Sequence, residues 1–143
     1  MGCDIHGQFI VRQGKEGAGR YSHPLTGLVL DQRRYLLFAM LAGVRNTFGV
    51  EPIAEGRGLP EGVKNYEGEN PDGFYAFNYG DHSFSWVTLA ELRKVADAYP
   101  AECRKHYPDS DGENVKRAIL GLCEYADAMR GEDEALFVFG FDS

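Results

Sequence analysis

Hydrophobic positions along this chain follow two periods. They alternate at the N-terminal end and recur with helical spacing through much of the remainder. Residues 3–12 put Cys3, Ile5, Phe9 and Val11 on one side of an extended strand, and Asp4, His6, Gln8 and Ile10 on the other. Gly7 falls on the apolar side and marks a close backbone approach or a bulge. A glycine-rich hairpin loop over 13–24 leads to Leu28-Val29-Leu30, a short strand expected to run antiparallel to the first. Asp31 suits a helix N-cap, Tyr35, Phe38, Leu41 and Ala42 form a buried helical stripe, and Gly43 is a natural stop.

From Asn46 to Gly80 neither period persists, and the segment holds seven glycines and three prolines. So long a loop in a compact domain is usually functional. With few large apolar residues between 54 and 73, it is expected to move, and Gly73 to Tyr79 to add a short strand or an aromatic lid. Thr88-Leu-Ala-Glu91 reads as a capping box opening a helix to about Ala98, ahead of Tyr99-Pro100. Ser110-Asp-Gly-Glu113 repeats the device before a helical face of Val115, Ile119, Leu122, Cys123, Ala126 and Met129. Ala135 to Phe141 is apolar on both faces, as a central strand is, and should neighbour the first strand, bringing Asp142 near it. The resulting fold class is α+β: a small, mainly antiparallel sheet with about three helices on one face and a long glycine-rich loop.

At 143 residues the chain makes one domain, 1–143, large enough to fold without a disulfide or metal staple. No apolar run is long enough to span a bilayer, and the first residues lack signal-peptide and myristoylation patterns, so a cytoplasmic protein is expected. The three cysteines, odd in number and widely spaced, fit a reducing compartment. A net charge of -7 disfavours duplex nucleic acid and anionic membranes. A small anion held by one or two arginines fits that balance, and a homo-oligomer is compatible with it.

Candidate chemistry gathers in three places. Asp4 and His6 project from the same strand face about 6.5–7 Å apart, a spacing that suits a shared metal or a base with its orienting acid; a plain solvated face is the alternative. Gly80-Asp-His-Ser-Phe-Ser-Trp86 offers Asp81, His82, the hydroxyls of Ser83 and Ser85, and the stacking face of Trp86 beside a helix N-terminus that attracts anions. Here the alternative is an aromatic-anchored loop. Arg57, in a glycine-rich turn, and Arg45, just past the first helix, are candidate anion donors or plain surface arginines. A Ser-His-Asp set can be drawn from these residues, but no Gly-x-Ser-x-Gly elbow supports it. Asp4-Ile-His-Gly7 also matches the first motif of calcineurin-like metallophosphatases, without their later motifs.

Taken together, GCDIH at 2–6, RYLLFAMLAGVRN at 34–46, RGLP at 57–60, GDHSFSWVTLAEL at 80–92 and VFGFDS at 138–143 span the chain in order. The sequence resembles a family of small phage and bacterial proteins that begin MGCDIH. It departs from the family pattern at Arg34 (usually Asn), Phe84 (usually a second His) and Gly140 (usually Trp). The resemblance implies a phage-related setting, in the host cytoplasm, and no particular chemistry.

The reading these features favour is a binding protein for a small phosphorylated or nucleotide-like ligand, such as a phage product that sequesters a host defence nucleotide. Its expected site is one cleft lined by Asp4, His6, Asp81, His82 and Ser83, with Arg57 and Trp86 at the rim and Arg45 and Ser85 adding donors. One alternative is a metal-dependent phosphodiester or nucleotide hydrolase using Asp4, His6, Asp81 and His82 around a divalent ion, with Asp4, His6 and His82 the candidate ligands. Another is a phage interaction module that blocks a host protein.

Overall fold

A computed structural model of the chain describes residues 2–12, 33–65 and 77–143. The elements run β1 (Asp4–Arg12), α1 (Tyr35–Ala42), β2 (His82–Thr88), α2 (Leu89–His106), α3 (Glu113–Arg130) and β3 (Glu134–Asp142). The expected loop at 13–24, the strand at 28–30, the cap at Asp31 and residues 66–76 of the glycine-rich segment lie outside the described residues.

The sheet is antiparallel, in the order β1-β3-β2. The expectation for the last strand holds: β3 is central and neighbours β1, with Asp4 opposite Asp142. Residues 135 to 141 are all buried, so the backbone groups of β3 must be satisfied by the two flanking strands. All three helices pack on one face, against Ile5, Phe9 and Val11 of β1 and Phe137, Phe139 and Phe141 of β3. On the other face Ile10, Leu136, Val138 and Tyr79 are covered by Leu59, Val63, Phe77, Phe84 and Trp86. The arrangement is a small α+β fold. Among the described residues no helix is long and apolar enough to cross a membrane.

Several local expectations are corrected. Helix α1 begins at Tyr35, with Arg34 in the N-cap position and no side-chain cap. Its residues from Leu36 to Ala42 are all buried, so α1 is a core helix and not a one-sided stripe. Gly43 does end it, in the left-handed conformation with its N–H on the Ala39 carbonyl. The carbonyls of the next two residues, Met40 and Leu41, accept from the N–H groups of Ile53 and Ala54, so the start of the glycine-rich segment closes the helix end.

The segment Gly80–Trp86 is not a loop. From His82 on it is strand β2. Ser85 occupies a core position because its hydroxyl donates to the Ala54 carbonyl, which removes the cost of burying it. The capping box at Thr88 and Glu91 is present, but α2 passes through Pro100 to His106. The proline costs about 3 kcal/mol in a helix interior, yet Leu92, Val95, Ala96, Tyr99 and Cys103 continue one buried stripe across it. Helix α3 starts without a capping box. Gly112 is its left-handed N-cap, fitted against Tyr99 and Cys103, and Asp111 accepts the Glu113 N–H instead. Met129 is exposed, whereas the five preceding positions of its predicted face are buried.

Two strand glycines mark close approaches. A Cβ on Gly7 would lie 2.6 Å from the Phe137 ring. A Cβ on Gly140 would lie 2.1 Å from the Tyr79 carbonyl oxygen and 2.6 Å from the Phe84 ring. Phe84 and Gly140 are therefore packed against each other.

Replacing Gly140 with Ala forces backbone against backbone, and we expect a loss of about 1–3 kcal/mol or more in chemical denaturation. Gly121, inside α3 with open space around its Cα, is the counterpart. Gly121→Ala should raise stability by about 0.5–1 kcal/mol. Equal effects at the two positions would contradict this packing.

Candidate functional site

Asp4, His6, Asp81, His82 and Ser83 lie at one end of the sheet, where β1 and β2 begin and β3 ends. They then divide between its faces. Directly paired residues share a face. Asp142 stands opposite Asp4, whereas His82 stands opposite Phe141 and stacks on its ring at a centroid distance of 6.2 Å. Asp4 and His6 therefore belong to the loop-covered face, and His82 to the helix face.

On the loop-covered face, His6 Nε2 meets Asp142 Oδ2 at 2.5 Å, joining the first and last strands. Asn78, Gly80 and Asp81 complete a cavity of about 350 Å³ around this pair. Asp4 turns to Arg33, which donates from Nε at 2.5 Å and Nη2 at 3.2 Å. That bidentate hydrogen bond holds the Asp4 carboxyl below its ordinary range. Gln8, the other polar residue of this strand face, is structural: its amide donates to the buried Tyr79 hydroxyl at 2.8 Å. Burial pushes that hydroxyl up to about 12.

On the helix face, a cleft of about 480 Å³ is lined by Cys3, Arg45, Glu55, His82, Ser83 and Ser143, among others. The His82 ring is held at both nitrogens, Nδ1 by the Ser83 hydroxyl at 2.9 Å and Nε2 by the Ser143 hydroxyl at 3.1 Å. Arg45 lies over the Tyr35 ring, 5.6 Å from its centroid. Burial raises the Cys3 thiol while the neighbouring Arg45 guanidinium pulls it down; burial prevails, so the thiol is no activated nucleophile. Arg45 (φ 54°) and Ser83 (φ 57°) both carry left-handed backbone at this cleft.

Three residues expected at the site are engaged elsewhere. Arg57 donates to both Glu91 carboxylate oxygens at 2.8 and 2.6 Å, and to the carbonyls of Trp86 and Ile53. Its guanidinium also covers the Trp86 ring at 4.7 Å, occupying the face expected to stack on a ligand. Ser85 is buried on the Ala54 carbonyl. The N-terminus of α2, expected to hold an anion, already holds the carboxylate of Glu91. The Gly58 N–H donates to the Phe84 carbonyl, so this turn also protects the outer edge of β2.

The four residues of the hydrolase alternative do not surround one point. His82 is on the helix face, Asp4 is bound to Arg33, and His6 and Asp81 share the other face. Among the described residues no group of three His, Cys, Asp or Glu side chains is placed to hold a metal ion. Asp81 and His82 approach only to 3.9 Å. Sequence reasoning missed Glu55, Asn78 and Ser143 as site residues. No motif marks Glu55, which enters only because the segment closing α1 carries it to Gly43. Asp142 was foreshadowed by the pairing expected between the first and last strands.

Comparison with known proteins adds no further assignment: no family model, no curated protein and no solved structure matches the chain.

The Arg57–Glu91 pair generates a pH prediction. The Arg57 hydrogen bonds lower the Glu91 carboxyl from its ordinary value of 4.5 to about 2. A depressed carboxyl stabilises the fold above its unfolded value and ceases to do so as pH falls toward its folded value. Glu91→Gln keeps the capping-box geometry and removes the charge. It should cost about 1–2 kcal/mol at pH 7, with the gap to wild type closing between about pH 4.5 and 2 in thermal melts. A gap independent of pH would show that the pair contributes through packing alone.

Proposed function

We propose that the protein binds a small phosphorylated or nucleotide-like ligand in the cleft formed by Arg45, His82, Ser83 and Ser143. One observation carries the reading. Arg45 and Ser83 are the two non-glycine residues with left-handed backbone among the described residues, and both line this cleft. Such a conformation costs on the order of 1 kcal/mol or more and is concentrated at functional sites. Arg45 supplies a permanent cation with planar donors suited to phosphate. His82, Ser83 and Ser143 supply further polar groups, and a cleft of about 480 Å³ falls within the usual size of small-molecule sites. The net charge of -7 repels long polyanions and leaves room for a small one at a local arginine. With the family resemblance, the setting is a phage-infected cytoplasm and the role is sequestration of a host defence nucleotide.

The test is thermal melting with inorganic phosphate and a panel of linear and cyclic nucleotides, with and without chelator. At a ligand concentration one hundred times Kd, binding adds about 2.7 kcal/mol, which raises the Tm of a chain this size by roughly 5–10 °C. We expect a shift indifferent to chelator, without product formation, and lost in Arg45→Ala. An undiminished shift in that variant, or none in the wild type, contradicts the reading. Metal-dependent turnover would favour the hydrolase instead.

A further inference from the structure

The cleft presents charges of both signs. Glu55 lines it together with Arg45. Its carboxylate lies beside Gly43, 3.4 Å from where a Cβ of that residue would stand. Gly43 is the C-cap of α1, and the C-terminal end of a helix carries partial negative charge that favours cations and donors within its last turn. The carbonyls of Met40 and Leu41 already accept from Ile53 and Ala54, so the carboxylate is the group that dominates the potential at this end. Arg45, His82 and Ser83 line the same cleft.

A simple anion filling this space would be drawn to Arg45 and repelled by Glu55. A ligand that carries N–H donors on its other end converts that repulsion into charge-assisted hydrogen bonds. We infer that the ligand of this cleft is bipolar, with an anionic group that meets Arg45 and N–H donors, as an ammonium or a guanine edge provides, that meet Glu55. The inference rests on the reading of the cleft as an anion site and narrows the class of ligand it takes. Specificity follows from the same geometry, because an anion without the donors leaves the Glu55 carboxylate opposed and unmatched.

Isothermal titration with four probes tests it: inorganic phosphate, O-phosphoethanolamine, GMP and AMP. Phosphoethanolamine reports an ammonium partner, and GMP against AMP reports the paired N–H edge of guanine. At least one bipolar probe should bind roughly tenfold or more tighter than phosphate, a difference of about 1.4 kcal/mol. Glu55→Ala should abolish that advantage and tighten the binding of phosphate, which no longer meets an opposing carboxylate. Equal affinity for all four probes, or an advantage that survives Glu55→Ala, overturns the bipolar ligand while leaving the anion cleft standing. Failure of every probe, phosphate included, overturns both.

Discussion

Among the described residues both hydrogen-bonded ladders of the sheet share β3, and the rest of the structure follows from that constraint. A strand buried from Ala135 to Phe141 can satisfy its backbone only through partners on both sides, so β1 and β2 are drawn to it. Its alternate side chains then divide the interior. Phe137, Phe139 and Phe141 meet the helices, and Leu136 and Val138 meet the 57–65 and 77–79 segments. The same alternation divides the polar groups at its C-terminal end. Phe141 takes His82 to the helix face, and Asp142 takes His6 to the other. Two polar clusters on opposite faces of the sheet are the direct result.

The segment after α1 serves structure first. Its opening closes the carbonyl end of α1, its turn protects the outer edge of β2, and Arg57 ties that turn to the Trp86 carbonyl and to Glu91 at the start of α2. The arginine most suggestive of a ligand is thereby an internal latch. Arg45 lines the cleft beside the thiol of Cys3, and the hydroxyl-anchored ring of His82 lines the same cleft.

The fold was legible where periodicity is strong. The alternation in residues 3–12, the doubly apolar last strand and the Thr88–Glu91 capping box each correspond to observed elements. Reading failed where one tertiary contact overrides a local signal. Ser85 hides the strand pattern of β2 because its hydroxyl finds the Ala54 carbonyl, and Pro100 suggests a helix end that burial of Tyr99 and Cys103 overrides. The site was legible as a set of residues and not as a geometry. Asp4, His6, Asp81, His82 and Ser83 do gather at one end of the sheet, but which face each occupies depends on a register and a bulge between His82 and Ser85 that no local pattern encodes.

Amide chemical-shift mapping during a phosphate titration distinguishes the two faces. Perturbations are expected to centre on Arg45, Gly56, Ser83 and Ser143, with His6 and Asn78 unmoved. Perturbations centred on His6 and Asn78, or spread equally over both groups, would contradict binding in the Arg45 cleft.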